Sequence, residues 1–294
     1  MTFTVVGLGE VLWDVLPAGP QPGGAPANFA YHAAALGARG MIVTRVGDDD
    51  LGRELIRRFA QMNLPRDTVQ VDPVRPTGTV AVNLDENGVP RYAFAEDVAW
   101  DQLVATEDAL QAVRGAHAVC FGTLGQRSES SRRTIQHLVA AAPAEALKIL
   151  DLNLRLAFYG REVIEDSMRL SNVLKFNDDE LTVLAKMFSL QGDVKRRIES
   201  LVHTFGFMVV VLTRGSSGSL VYQEGRWSEV PLQPVRVVDT VGAGDAFTAA
   251  VTMGLLSGMD IGEVHAIAAE IAGFVCSQPG ATPATPETFR KRFQ

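Results

Sequence analysis

The stretch Asp239-Thr240-Val241-Gly242-Ala243-Gly244-Asp245-Ala246-Phe247 sets a run of small residues beside a carboxylate. After it, Phe247, Ala250, Val251, Gly254 and Leu255 recur at helical spacing, so a helix is expected to start near the second glycine, Gly244. Small residues leave the amides of such a first turn uncovered. Unpaired amides and the positive end of the helix dipole together make an anion site. Asp245, in the same turn, could accept the proton of an attacking hydroxyl while the amides stabilise charge on the transferred group. The same residues also read as a plain glycine turn, with Asp245 merely favourable near a helix N-terminus.

Other stretches carry paired readings of the same kind. Asn177-Asp178-Asp179-Glu180 follows an apolar run, and Asn177 and Glu180 stand three residues apart, facing one way at a helix start. That pair suits water-mediated binding of Mg²⁺, which keeps much of its hydration. It equally suits a capping box, with Asn177 as the cap. Thr213-Arg214-Gly215-Ser216-Ser217-Gly218 ends the apolar run 209–212. Such a loop is either a ligand edge beyond a strand's carboxyl end or a turn into the next strand. Near the N-terminus, Gly23-Gly24-Ala25-Pro26-Ala27-Asn28 reads as a helix start, with Pro26 near its first position. Asn28 in that turn and Asp14 just past a strand can both bond vicinal hydroxyls, or make local bonds only. Arg155, after Asp151, could reach a phosphate or pair with Asp151. The five histidines show no ligand or triad spacing and read as structural.

Positioning these groups requires a scaffold. Apolar runs at 3–9, 41–46, 116–122, 147–153, 172–177 and 207–213 alternate with amphipathic segments near 26–37, 50–62, 128–141, 161–170 and 178–204. Buried strands separated by helices imply an α/β fold with a parallel sheet covered on both faces. One region departs from the rhythm: residues 77–84 and 89–95 flank Asp85-Glu86-Asn87-Gly88, an Asn-Gly hairpin cue. Such a hairpin could project as a lid, pair with another subunit, or be an ordinary edge meander.

The 294 residues are 47% hydrophobic, enough for a substantial core, and carry a net charge of −7. That balance disfavours nucleic acid, which is bound through Lys and Arg. Two cysteines make no disulfide framework, which suits a reducing cytoplasm. No leader or membrane span is expected. The longest uncharged, proline-free stretch, 246–259, is 14 residues, against ~20 for a span. A P-loop is excluded by the lack of any Gly-Lys dipeptide, and a dinucleotide fingerprint by the lack of a third glycine after Gly7 and Gly9.

In order and spacing, from residue 9 to about residue 284, these pieces resemble the carbohydrate kinases of the ribokinase or PfkB family. Gly23–Asn28 is similar to its N-terminal motif, Asp239–Phe247 to its C-terminal motif, Asn177–Glu180 to its Asn-x-x-Glu motif, and Thr213–Gly215 to its nucleotide-side strand end. The resemblance implies one domain over 1–294: a three-layer α/β/α ribokinase-like sandwich on a mostly parallel sheet. A small β-sheet lid would come from segments near 11–22 and 76–100. It implies that Asp245 is the catalytic base and that Gly242, Ala243 and Gly244 form the anion hole. Asp14, Gly24, Asn28 and Arg155 would hold the sugar; Asn177, Thr213, Gly215, Gly218 and Gly244 would border ATP. Asn177 and Glu180 would organise Mg²⁺ through water. Asp239 and the carbonyls of Val241 and Gly280 match a monovalent-cation (K⁺) position, although Thr is common in the family where Val241 stands. Leu152, where many members have proline, is a second departure.

Within the family, Gly-Gly-Ala-Pro-Ala-Asn, Asp151-x-Asn153-x-Arg155 and Asp97-Val98-Ala99-Trp100-Asp101 look more like fructokinases. The implied reaction is phosphoryl transfer from ATP to a primary hydroxyl of D-fructose, with 2-keto-3-deoxygluconate and ribose as alternative substrates. A non-catalytic sugar sensor is the alternative from another class. Partners are then small molecules, with no nucleic acid or membrane, and a homodimer through the lid.

Overall fold

The computed structural model describes residues 2–16, 19–84, 90–232 and 234–294. Strands β1 (Thr4–Leu8), β2 (Leu12–Leu16), β3 (Gly19–Gly23), β4 (Arg39–Gly47), β5 (Val69–Asp72), β6 (Gly78–Leu84) and β7 (Pro90–Phe94) come first. They are followed by β8 (Ala118–Phe121), β9 (Leu147–Asp151), β10 (Val173–Asn177), β11 (Val209–Thr213), β12 (Ser219–Gln223) and β13 (Arg226–Val230). The helices are α1 (Ala25–Ala35), α2 (Asp50–Gln61), α3 (Glu107–Arg114), α4 (Glu129–Ala141) and α5 (Arg161–Arg169). The series continues with α6 (Asp178–Phe188), α7 (Val194–Phe205), α8 (Ala243–Leu256), α9 (Ile261–Cys276) and α10 (Glu287–Arg290).

Nine strands form the large sheet in the order β13-β12-β11-β10-β9-β8-β1-β4-β5. From β11 to β5 every pairing is parallel, and only β12 and β13 run antiparallel, at one edge. Alternation along each strand sends side chains to two separate cores, as a sheet buried on both faces demands. Val6, Leu8, Phe121, Leu150 and Leu174 pack beneath α3 to α7, while Val5, Cys120, Ile149, Val173 and Val209 pack beneath α1, α8, α9 and α10. The three-layer α/β/α expectation holds. The helix expected over 178–204 is two: Ser189 takes a left-handed φ of 55°, and Asp193 then caps α7 by accepting from the Arg196 amide.

A separate four-stranded sheet has the order β3-β2-β6-β7, so the 11–22 and 76–100 segments do meet in space. Leu12, Val80, Val98, Trp100 and Leu124 form its own apolar cluster. The expected Asn87-Gly88 turn lies outside the described residues. Among the described residues no helix is long and apolar enough to cross a membrane, and both cysteines are free.

Candidate active site

A cleft of about 680 Å³ opens between the carboxyl ends of the parallel strands and the small sheet. Open α/β sheets bind ligands at this end. Asp14, Gly24, Asn28, Arg155, Asn177, Glu180, Thr213, Asp239, Val241, Gly242, Gly244, Asp245 and Gly280 all line it, so residues scattered over the chain converge as expected. Gly215 and Gly218 do not reach the lining; they frame the short turn that leads β11 into the antiparallel β12. The reading of that loop as a turn into the next strand is therefore the structural outcome.

At the floor of the cleft, α8 starts at Ala243 with Gly242 as its N-cap, one residue before Gly244. Gly242 holds a left-handed φ of 78°, which favours glycine, and it has no side chain to cap the turn. The amides at the head of α8 therefore stay available to an anion. The Ala243 amide makes one long bond, 3.4 Å, to the Thr240 carbonyl. Asp245 stands in that turn, half-buried, with Asn28 Nδ2 donating to its Oδ2 at 2.8 Å. Burial and the neighbouring Asp151 carboxylate push its pKa from 3.8 to about 6, against the Asn28 bond and the Lys175 and Arg155 charges. A carboxylate poised there is basic enough to take a hydroxyl proton near neutral pH.

Beneath the glycine turn lies a charge network that sequence reasoning did not find. Lys175 is buried on β10 and donates from Nζ to Asp151 Oδ1 at 2.9 Å, while Thr248 Oγ1 donates to Asp151 Oδ2 at 3.1 Å. A Cβ on Gly244 would come within 3.1 Å of Lys175 Nζ, so glycine lets the helix start sit directly over the ammonium. Burial works against the Lys175 charge, yet Asp151, Glu180 and Asp245 outweigh it and raise its pKa. The signal was present: Lys175 is the one charge inside Val173-Leu174-Lys175-Phe176. Asp151 is thus satisfied by Lys175 and Thr248, which corrects the alternative of an Arg155 pair. Arg155 is exposed, bonds the Leu154 carbonyl at 3.1 Å and lines the cleft.

Glu10, just beyond β1, was also missed. It is buried, its Oε2 has no hydrogen-bond partner, and it lines the cleft. Burial pushes its pKa to about 7. A carboxylate directly after an apolar strand was the available cue. Asp14, on β2, faces the same cleft, its pKa raised by burial against the Arg155 charge.

Asn177 and Glu180 form the capping box: the Glu180 amide donates to Asn177 Oδ1 at 2.9 Å and the Asn177 amide to Glu180 Oε2 at 2.8 Å. The Leu154 amide donates to Glu180 Oε1 at 2.8 Å. Each Glu180 oxygen accepts one amide and keeps lone-pair capacity for a further hydrogen bond, while direct ligation of a metal would compete with these amides. Among the described residues no cluster of three acidic or His/Cys ligands exists. Asp239 Oδ1 accepts from the Val241 amide at 3.0 Å and Oδ2 from the Gly280 amide at 3.1 Å, so Asp239 meets these two residues through their amides rather than through the carbonyls of the expected K⁺ position.

Residues 18–288 match the pfkB family of carbohydrate kinases. A fructokinase of Klebsiella pneumoniae is 31% identical over 264 residues, covering 86% of this chain and 83% of that protein. The crystal structure of a fructokinase from Xylella fastidiosa with bound ATP superposes with a TM-score of 0.85 at 22% identity, over 99% of this chain and 98% of that one. The 2-dehydro-3-deoxygluconokinase of Thermotoga maritima gives a TM-score of 0.84 at 18% identity, over 100% and 98%. The matches place this protein in the class of enzymes that phosphorylate carbohydrates. The chain belongs to the pfkB carbohydrate kinase family, and it is a sugar kinase.

Proposed function

We propose that this sugar kinase transfers the γ-phosphoryl group of ATP to a primary hydroxyl of D-fructose, with Asp245 as the base. The observation that carries the reading is Asp245 itself: an acid with its pKa raised to about 6, bonded by Asn28, in an uncapped helix start on the cleft floor. The similarity to fructokinases supports the sugar, and the ATP carried by the Xylella protein supports the nucleotide.

In this reading Asp14, Gly24, Asn28 and Arg155 hold the sugar hydroxyls under the small sheet, which acts as a lid over the single domain. Asn177, Thr213 and Gly244 border the nucleotide. Asp245 accepts the hydroxyl proton at Oδ1, since Oδ2 is engaged by Asn28. Amides of Gly242, Ala243 and Gly244 face the charge that spreads over the transferring phosphoryl group. Mg²⁺, arriving with ATP, would be held through water by Asn177 and Glu180 and would neutralise phosphate charge when bound. A monovalent cation such as K⁺ would lie by Asp239, Val241 and Gly280. The exposed edges β3 and β7 of the small sheet offer the contact for a homodimer, which light scattering would refute by returning a monomer. The free cysteines suit the cytoplasm.

The test is ADP release from Mg-ATP with D-fructose, ribose, 2-keto-3-deoxygluconate or no sugar. Release with fructose well above the others is expected. Release with another sugar alone would overturn the substrate, and folded protein inert across a wider panel would favour the sugar sensor.

A further inference from the structure

We propose that Tyr31 and His32 are positioning residues that pin the 280–283 loop to α1 and thereby hold the glycine turn at the head of α8 in shape. The proposal rests on reading that turn as the phosphoryl site. His32 is buried, and its Nε2 lies 2.9 Å from the Ala281 carbonyl oxygen. A carbonyl only accepts, so Nε2 carries the hydrogen and donates. The adjacent Tyr31 hydroxyl donates to the Pro283 carbonyl at 2.9 Å. Two neighbouring side chains thus grip one loop at alternate carbonyls.

What they hold is the backing of the anion hole. A Cβ on Gly242 would fall 2.4 Å from the Ala281 oxygen and 2.7 Å from its Cα, so the loop lies flush against the turn. The carbonyl that receives the His32 bond is the one that meets Gly242. From the other side, Asp239 ties the Val241 and Gly280 amides through its two oxygens. Loop and turn are therefore fastened at both ends, to Asp239 and to α1.

The same helix, one turn earlier, carries Asn28, whose Nδ2 bonds the base Asp245. Elsewhere α1 packs through Phe29 and Ala33, with Leu36 just past its end, and these need no polar group. The polar residues fall where the helix passes the site: Asn28 on the base, Tyr31 and His32 on the loop. A single rigid helix, opening in the Gly23–Asn28 segment assigned to sugar, thus sets base and anion hole relative to each other. Small errors in such alignment are costly, since a 1 Å misplacement of reacting groups costs ~10²-fold.

Three variants of the full chain test this: Tyr31→Phe, which deletes one oxygen from a half-buried ring; His32→Phe, which deletes the donor; and His32→Gln, which keeps one. Hydrogen exchange of the free protein should show amides in 240–246 and 279–284 exchanging about tenfold faster in the two Phe variants, with the central strands unchanged. With sugar and Mg-ATP, kcat should fall about tenfold while the sugar KM stays within about twofold. His32→Gln should recover most of both losses. Unchanged local exchange, or equal acceleration across the whole fold, would overturn the proposal, as would wild-type kcat in either Phe variant. Tyr31→Phe decides the matter should His32→Phe fail to fold. If the wild type phosphorylates no sugar, the phosphoryl-site reading fails, and exchange alone decides the role of Tyr31 and His32.

Discussion

Replacing Asp245 by Asn should remove turnover and stabilise the protein at the same time. The folded state holds this carboxyl at about 6, above its ordinary 3.8, chiefly by burial and the nearby Asp151 charge. The sign follows from proton binding: the folded chain keeps the proton to higher pH than the unfolded chain. Stability from this group is therefore complete below pH ~4 and lost as pH rises through about 6. The gap between 3.8 and about 6 corresponds to about 3 kcal/mol at ~1.4 kcal/mol per decade. Water in the cleft reduces this to about 1–3 kcal/mol. The amide carries no charge to strand, and its oxygen can still accept from Asn28 Nδ2. At pH 8 the variant should be more stable by about 1–3 kcal/mol, or about 2–6 °C in Tm. At pH 4 the difference should vanish. Turnover should fall by ~10²–10⁴-fold with sugar binding retained. Denaturation at both pH values, a sugar titration and an ADP-release assay read all three quantities. A variant no more stable at pH 8 than the wild type would refute the buried-acid reasoning, and a fully active one the base assignment.

Further outcomes follow from the same geometry. The wild-type kcat/KM should fall on the acid side with an apparent pKa near 6, as the base protonates; a limb near 4 would show an ordinary exposed carboxylate. Lys175→Met should cost ~3–5 kcal/mol in urea denaturation, because it strands the buried Asp151 charge, and should move the acid limb upward by removing a cation near Asp245. His265, buried between Ser219 and Ser228, has its pKa lowered to about 4 by burial and the Arg214 charge. Its contribution is present above pH ~6.5 and lost as pH falls toward 4, so thermal scans of His265→Gln should lose less stability over that range than the wild type.

The parallel core was legible because its strands are continuous apolar runs, and the site because its small and polar residues sit at strand ends and helix starts. Asp245, Asn28 and Asn177 fall in one cleft from such positions, and Asp14, expected just past a strand, joins them from the middle of β2. What the sequence hid was tertiary. Lys175 looks like an exception in an apolar strand until Asp151, 24 residues earlier, is brought to 2.9 Å. Glu10 reads as a loop acid until the cleft closes around it. Gly192-Asp193, a turn glycine and a cap in the link that follows Ser189, marked the break between α6 and α7 in plain view, and the amphipathic rhythm on either side masked it. Gly215 and Gly218 carried a nucleotide expectation, yet they serve the turn into an antiparallel edge that the parallel pattern did not suggest.

The most direct test of the central claim is ³¹P NMR of the purified protein incubated with Mg-ATP and D-fructose. A new sugar phosphomonoester resonance growing in step with ADP is the expected result. ADP with inorganic phosphate alone, or an unchanged ATP spectrum from folded protein, would contradict transfer to fructose through Asp245.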